Sequence, residues 1–273
     1  MSFPELLMKK IDHAIVEFKE MDEMANRASP IHDLNPMVKL IATIAYIFFV
    51  VSFDKYDLNG LIIMVLYPIA MFEVSGTSIG ACFYKLRFVI PLVCAVGLFN
   101  PFFDKATLIS IGNVAVSGGV ISMLTLMLKG VLCIMESFVL VATTSFDSIC
   151  SALRRLHIPG FIVTLLLLTY RYISVMMEEV SIMTDAYMLR APNQKGIQFS
   201  AWGSFLGQLL LRSMDRAEDL YSSMQLRGFS GEFLYAGLKH LSWKDILFLL
   251  LSLMIFALFR FVDITSFIGQ LVM

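Results

Sequence analysis

Apolar residues in this chain gather into runs, and the charged residues fall between them. Five runs are near the roughly 20 residues that a helix needs to cross a bilayer, or the somewhat fewer that suffice where the bilayer thins. They cover residues 38–53, 58–72, 88–103, 118–144 and 246–259. The first is entered through Leu34-Asn35-Pro36, where Asn35 suits a helix cap and Pro36 the first helical position. A sixth run, 156–170, is uncharged except for His157. Residues 4–24 read as an amphipathic helix through Leu7, Ile11, Ile15, Phe18 and Met21, suited to the inner leaflet surface.

Between the fourth and last runs, the pattern changes to amphipathic. Over 204–225 the apolar positions Leu206, Leu209, Leu210, Met214, Ala217, Leu220, Tyr221 and Met224 recur at helical spacing. Gln208, Arg212, Asp215, Asp219 and Ser222 lie opposite. This helix is expected to stop at Arg227-Gly228, because glycine just past a last turn is a common cap. An earlier amphipathic helix over 172–190 carries Ile173, Met176, Met177, Val180, Met183 and Met188, and ends at Arg190-Ala191-Pro192, where proline forbids continuation. Two helices thus finish on an arginine at a sharp stop. The ordinary reading is two cations favoured by the helix dipole. The functional one is a pair of docking tips, since a guanidinium at a helix end can bind a partner carboxylate bidentately.

Composition agrees with a membrane protein: 58% of the 273 residues are apolar and 16% charged, with a mean hydropathy of +0.77. A soluble domain has roughly 25% charged residues. The net charge of −1 gives no basic face for nucleic acid. Charge placement is more telling. With a cytosolic N-terminus and four spans before residue 145, the inside holds Lys9, Lys10, Lys19, Arg27 and Lys39, then Lys85 and Arg87, then ten Lys and Arg between 145 and 244. Only Lys55 and Lys105 fall outside, while Lys129 and Arg260 lie within spans. Letting 156–170 cross would force basic residues outward, against the positive-inside rule. The expected architecture is therefore an all-α polytopic membrane protein with five spans, six being the alternative, and cytosolic amphipathic helices. Its regions are a cytosolic segment 1–36, a four-span region 37–144, a cytosolic helical region 145–243 and a last span in 244–273, in the cytoplasmic membrane.

The candidate chemistry is sparse. Cys82, Cys94, Cys133 and Cys150 form no CxxC pair and read as buried small hydrophobes, and the four histidines are scattered, so no metal site is assembled by local spacing. There is no phosphate-binding G-x-x-x-x-G-K-[ST] loop, no HExxH and no nucleophile elbow. No cofactor or catalytic residue is expected. Lys129 and Glu136 stand seven residues apart on one face of the fourth span. They read either as a structural polar pair, or contacts to a neighbouring subunit, or as part of a relay; two groups alone make a poor pathway.

The ordered set Ser29-Pro30-Ile31-His32, Leu34-Asn35-Pro36, Lys39-Leu40, Thr143-Thr144-Ser145, Ala152-Leu153 through Pro159, Arg171-Tyr172, Glu178-Glu179, Leu206-Gly207-Gln208-Leu209-Leu210-Leu211-Arg212-Ser213, Arg216-Ala217-Glu218 and Ser223-Met224-Gln225-Leu226-Arg227-Gly228-Phe229 resembles the transmembrane (T) component of energy-coupling-factor transporters. The cobalt-transport branch, the Q subunit, is the most similar, and the resemblance covers about residues 27–260. It implies that Leu189-Arg190-Ala191 and Leu226-Arg227-Gly228 are docking motifs, which in that family read Ala-Arg-Gly or Ala-Arg-Ser. Here Leu189 and Leu226 replace the alanines, and Ala191 replaces the small residue at the first site.

The resemblance further implies a non-catalytic subunit whose partners are two ATPase (A) subunits, which bind the ATP, and a substrate-binding membrane (S) component. The cargo it points to is cobalt ion, with a nickel or shared vitamin system as the alternative. An autonomous secondary transporter is the competing class.

Overall fold

The computed structural model describes residues 16, 24, 25, 29, 31–85, 87, 89–99, 107–111, 114–191, 197–229, 231 and 241–261. The expected surface helix over 4–24 lies outside the described residues. Apart from one two-stranded ribbon, the fold is all-α among the described residues. The chain clusters into two units, residues 25–145 with 239–273 and residues 146–238 with 1–24.

The first unit contains α1 (Pro36–Ser52), α2 (Leu58–Met64), α3 (Leu66–Ser75), α4 (Ile79–Lys85), α5 (Val89–Leu98), the antiparallel ribbon β1 (Thr107–Ile111) and β2 (Val114–Ser117), α6 (Gly118–Thr143) and α10 (Trp243–Phe261). The cap of α1 is as its sequence indicates: the Asn35 side chain accepts the Met37 N–H at 3.1 Å and Pro36 opens the helix. The second apolar run is two helices broken at Val65. Pro68 explains the break, because it has no N–H for the Met64 carbonyl four residues back and its ring crowds that carbonyl. The buried Tyr46 hydroxyl donates to the Met64 carbonyl instead, at 2.9 Å. Tyr46 also stacks on Tyr67 at 5.1 Å, and Phe256 meets Tyr67 edge-on at 4.7 Å. With Val50, Leu61, Leu132 and Val139 these rings form the core of the unit.

Of the third run, the helix α5 covers Val89–Leu98 among the described residues. The helix ends at Leu98, and residues 100–106 lie outside the described residues. It packs closely on α6: a side chain at Gly130 would meet Val93 Cγ1 at 2.4 Å, so glycine permits the approach.

The second unit contains α7 (Phe146–Arg155), α8 (Gly160–Arg190), a 3-10 turn (Phe199–Ala201) and α9 (Trp202–Leu226). Two expectations change here. Residues 160–170 of the apolar stretch and the amphipathic stretch 172–190 are one continuous helix, α8. Its start is set by Pro159, which cannot lie inside a helix preceded by α7; His157 takes a left-handed φ of 63° in the turn between them. Phe146 stacks on Tyr170 at 4.1 Å and joins α7 to α8.

By length and composition, Leu58–Ser75, Gly118–Thr143 and Gly160–Arg190 could cross a membrane, while Pro36–Ser52 and Val89–Leu98 are shorter apolar helices. The reading of 156–170 as a helix separate from 172–190 is thus corrected, and whether α8 crosses is a matter of its charges.

One carboxylate ties two helix starts together. Asp245, in the first turn of α10, accepts the Ser242 N–H at 2.8 Å and the buried Asn35 N–H at 3.0 Å. Asp245→Ala leaves the Asn35 donor without its acceptor, and is expected to destabilise the detergent-solubilised chain by about 1–3 kcal/mol. Denaturant unfolding followed by circular dichroism checks this.

Candidate functional site

Both arginine tips belong to the second unit. The end of α9 is closed by backbone geometry alone. The Phe229 N–H bonds to the Met224 carbonyl at 3.0 Å, and the Gly228 N–H to the Gln225 carbonyl at 2.9 Å. This pair of bonds is a Schellman closure, and it requires a left-handed residue after the cap. Gly228 supplies it with φ 80°. Arg227 is the cap and is exposed. The end of α8 closes differently. The Ala191 N–H bonds back to the carbonyls of Tyr187 at 3.1 Å and Met188 at 3.2 Å, with Ala191 at φ −133°. Pro192 then prevents another turn. Arg190 is exposed in the last turn.

The leucines beside the arginines stand out. Leu189 is 84% exposed and Leu226 is 90% exposed. Each tip therefore offers an apolar side chain next to a guanidinium, not a guanidinium alone.

The order of contacts fixes the relative direction of α8 and α9. Tyr187 Oη receives the Gln198 N–H at 3.4 Å, next to the start of α9. Glu179 pairs with Arg212 near its middle. Tyr172 and Met176 share a cleft of about 580 Å³ with Asp215, Arg216, Asp219, Leu220 and Ser223 near its end. Descending numbers on α8 meet ascending numbers on α9, so the helices are antiparallel. Arg190 and Arg227 stand at opposite ends of the pair. At 1.5 Å per residue the separation is on the order of 35 Å, the length of α9.

Leu209, Leu220 and Met224 of the apolar stripe are half-buried, whereas the polar stripe is exposed and reaches α8 through the Arg212–Glu179 pair. Leu206, Leu210, Met214 and Tyr221 are each more than half exposed, and Phe205 is the buried residue of that helix. Helical spacing identifies the two stripes but says nothing of which one faces a neighbour. The Glu179–Arg212 pairing was thus out of reach of periodicity, although both charges sit in the quoted motifs.

Lys129 and Glu136 share a face of α6, as their spacing indicates, and both reach α1. They do not meet each other there. Lys129 Nζ donates to the carbonyls of Val51, at 3.2 Å, and Phe53. Glu136 accepts from the Thr43 hydroxyl at 3.4 Å, two turns away along α1. The polar-pair reading is corrected accordingly. Among the described residues no cluster of three His, Cys, Asp or Glu could hold a metal ion. Burial pushes the Cys150 thiol up to about 11, with the Asp147 charge adding to the effect.

A Cβ at residue 228 would meet nothing within 4 Å, so a substitution there acts through the backbone alone. Gly228→Val is expected to open the closure by about 1 kcal/mol or more, and Gly228→Asn by less, since asparagine tolerates the left-handed region. Faster amide exchange at Phe229 in the valine variant checks this.

The profile of the family described as cobalt transport protein (CbiQ) matches residues 27–236. An uncharacterized protein of Methanocaldococcus jannaschii is 24% identical over 95% of this chain and 92% of its own length. The nickel permease LarQ of Lactiplantibacillus plantarum is 27% identical over 44% of each chain. The energy-coupling factor transporter transmembrane protein EcfT of Leuconostoc gelidum is 24% identical over 79% of this chain and 85% of its own.

Proposed function

The chain belongs to the cobalt transport protein family and is an energy-coupling-factor type transport component of the membrane; we propose that it is the coupling subunit that carries the motion of two ATPase subunits to a separate substrate-binding membrane subunit. One observation carries this reading: two exposed Leu-Arg helix ends stand at opposite ends of one antiparallel helix pair. A small single partner cannot engage both ends at once, whereas two similar subunits can.

On this reading Arg190 and Arg227 each bind a carboxylate in a groove on one ATPase subunit. The guanidinium fork holds direction as well as position. When the ATPase subunits close on ATP and reopen, the tips are carried with them. α8 and α9 pass that displacement to the helical bundle, and the substrate-binding subunit reorients and releases its cargo. The subunit itself performs no chemistry, and the nucleotide stays on the ATPase partners. Cobalt ion is the cargo that the family's description favours. Nickel is the second reading, favoured by the similarity to the nickel permease.

Five spans remain the reading for the topology. Letting α8 cross would send either Arg154 and Arg155 or the basic residues beyond 178 to the outside, against the positive-inside rule. On this reading α8 lies on the cytosolic side, and its tip faces the ATPase.

Charge reversal tests the docking. Arg190→Glu with Arg227→Glu removes two charge-assisted contacts of about 1.5–3 kcal/mol each. Affinity for the ATPase subunits is expected to fall at least about a hundredfold, and metal uptake to cease. Unchanged co-purification and uptake would refute the docking role. For the topology, an impermeant thiol reagent is expected to label His157→Cys from the cytosolic side and Gly269→Cys from the other side. External labelling at 157 would favour six spans.

A further inference from the structure

The contact between α8 and α9 has little apolar packing. Thr184 is the one buried residue in the second half of α8, and Phe205 is its counterpart on α9. The cleft beside their crossing is open and lined by Asp215, Arg216 and Asp219 together with Tyr172, Met176 and Leu220. A helix pair held by an apolar interface has its angle set by interlocking side chains. This pair has only partial apolar burial, so a directional polar contact contributes to its angle.

The Glu179–Arg212 bond is the contact placed to do so. The Glu179 side chain is only 14% exposed, and the Arg212 side chain 50%. A carboxylate that far from water requires its cation. The bond stands 11 residues before Arg190 and 15 before Arg227. The helix arms beyond it are thus about 17 and 23 Å long at 1.5 Å per residue. A change of about 10° at this point displaces the two tips by roughly 3 and 4 Å at that arm length.

We propose that Glu179 and Arg212 are positioning residues that fix the spacing of the Leu189-Arg190 and Leu226-Arg227 tips, and thereby match the subunit to a pair of ATPase grooves a set distance apart. The functional part of this inference rests on the docking reading; the spacing part does not. Neither residue touches the partner. Their effect passes through the angle of the two helices, so a loss of either leaves each tip intact but misplaces it relative to the other.

Distance measurement on the full chain, purified without partners in lipid nanodiscs, tests the spacing. Cys82, Cys94, Cys133 and Cys150 are replaced by alanine, and spin labels are placed at Ala186→Cys and Ser222→Cys, both exposed positions clear of the tips. Pulsed electron resonance is expected to give one narrow distance distribution for the parent. Glu179→Gln and Arg212→Glu should each broaden and shift it, and Glu179→Arg combined with Arg212→Glu should restore it. In the assembled transporter, the single variants should retain ATPase subunits and ATP hydrolysis but lose about fivefold in metal uptake per ATP, the factor that the strong end of such pairs supplies. The charge-swapped chain should recover uptake. An unchanged distribution in the single variants, or a swap that stays broad, overturns the proposal. If the distances behave as expected while the Arg190→Glu and Arg227→Glu chain still binds ATPase, the spacing stands and the docking reading falls.

Discussion

A lysine on each of two antiparallel helices satisfies the last carbonyls of the other, and the first unit is organised around that exchange. Lys39, buried in the first turn of α1, donates to the Thr143 carbonyl at the end of α6 at 2.7 Å. Lys129 of α6 reaches the Val51 and Phe53 carbonyls at the end of α1. Helix ends leave four carbonyls without intrahelical donors, and in a bilayer no water relieves them away from the interface. A cation at a helix C-terminus also meets the favourable end of its dipole. Arg260 completes the set by donating to the Ser52 carbonyl at 3.2 Å and lying over the Phe53 ring. Three successive carbonyls are thereby satisfied from two other helices. At the opposite end, Asp245 ties α10 to α1. The helix α1 is held at both ends by polar contacts and in its middle by the Tyr46 ring cluster, so lateral packing has a fixed post to build on.

The helices of residues 146–238 follow different physics. Many large apolar side chains are exposed along α9, an ion pair joins it to α8, and both helix ends project a leucine. Burying one such leucine is worth about 1.5–3 kcal/mol. A surface that leaves so much apolar area uncovered is stable as part of an assembly, in keeping with a transport component that works beside other subunits.

Much of this was legible in the sequence, because local rules govern helix ends. Asn35-Pro36 announced the start of α1, Gly228 the stop of α9 and Pro192 the stop of α8, each through backbone geometry that a neighbour does not alter. The all-α membrane character followed from apolar runs. What remained hidden needed a second helix. Lys39 counts as a cytosolic charge in any topology argument, yet it is buried against a carbonyl 104 residues away. Lys129 was matched to Glu136 by spacing, although backbone carbonyls, which carry no sequence signature, were its partners. The break in the second apolar run could be traced to Pro68, but the tyrosine that satisfies the freed carbonyl comes from another helix. The merging of 160–170 with 172–190 turned on Pro159 acting as a helix start instead of a boundary within an apolar segment.

The two tips sharpen what such a site requires. One closes through a left-handed glycine and the other through bifurcated bonding at an alanine before a proline, so no shared backbone motif unites them. What they share is an exposed leucine, then an arginine, then a residue that ends or closes the helix. A guanidinium at a fraying helix end would sample many directions, and a firm stop limits that freedom at little cost. The stop can be built in more than one way, because its role is to hold the cap residue still and not to contact anything. Constraint therefore falls on the displayed pair and on the direction of each helix. That direction is set remotely, by the contacts that make α8 and α9 antiparallel. A search confined to the tip residues would find two similar short motifs; on the docking reading, the helix pair between them is what makes the two motifs one site.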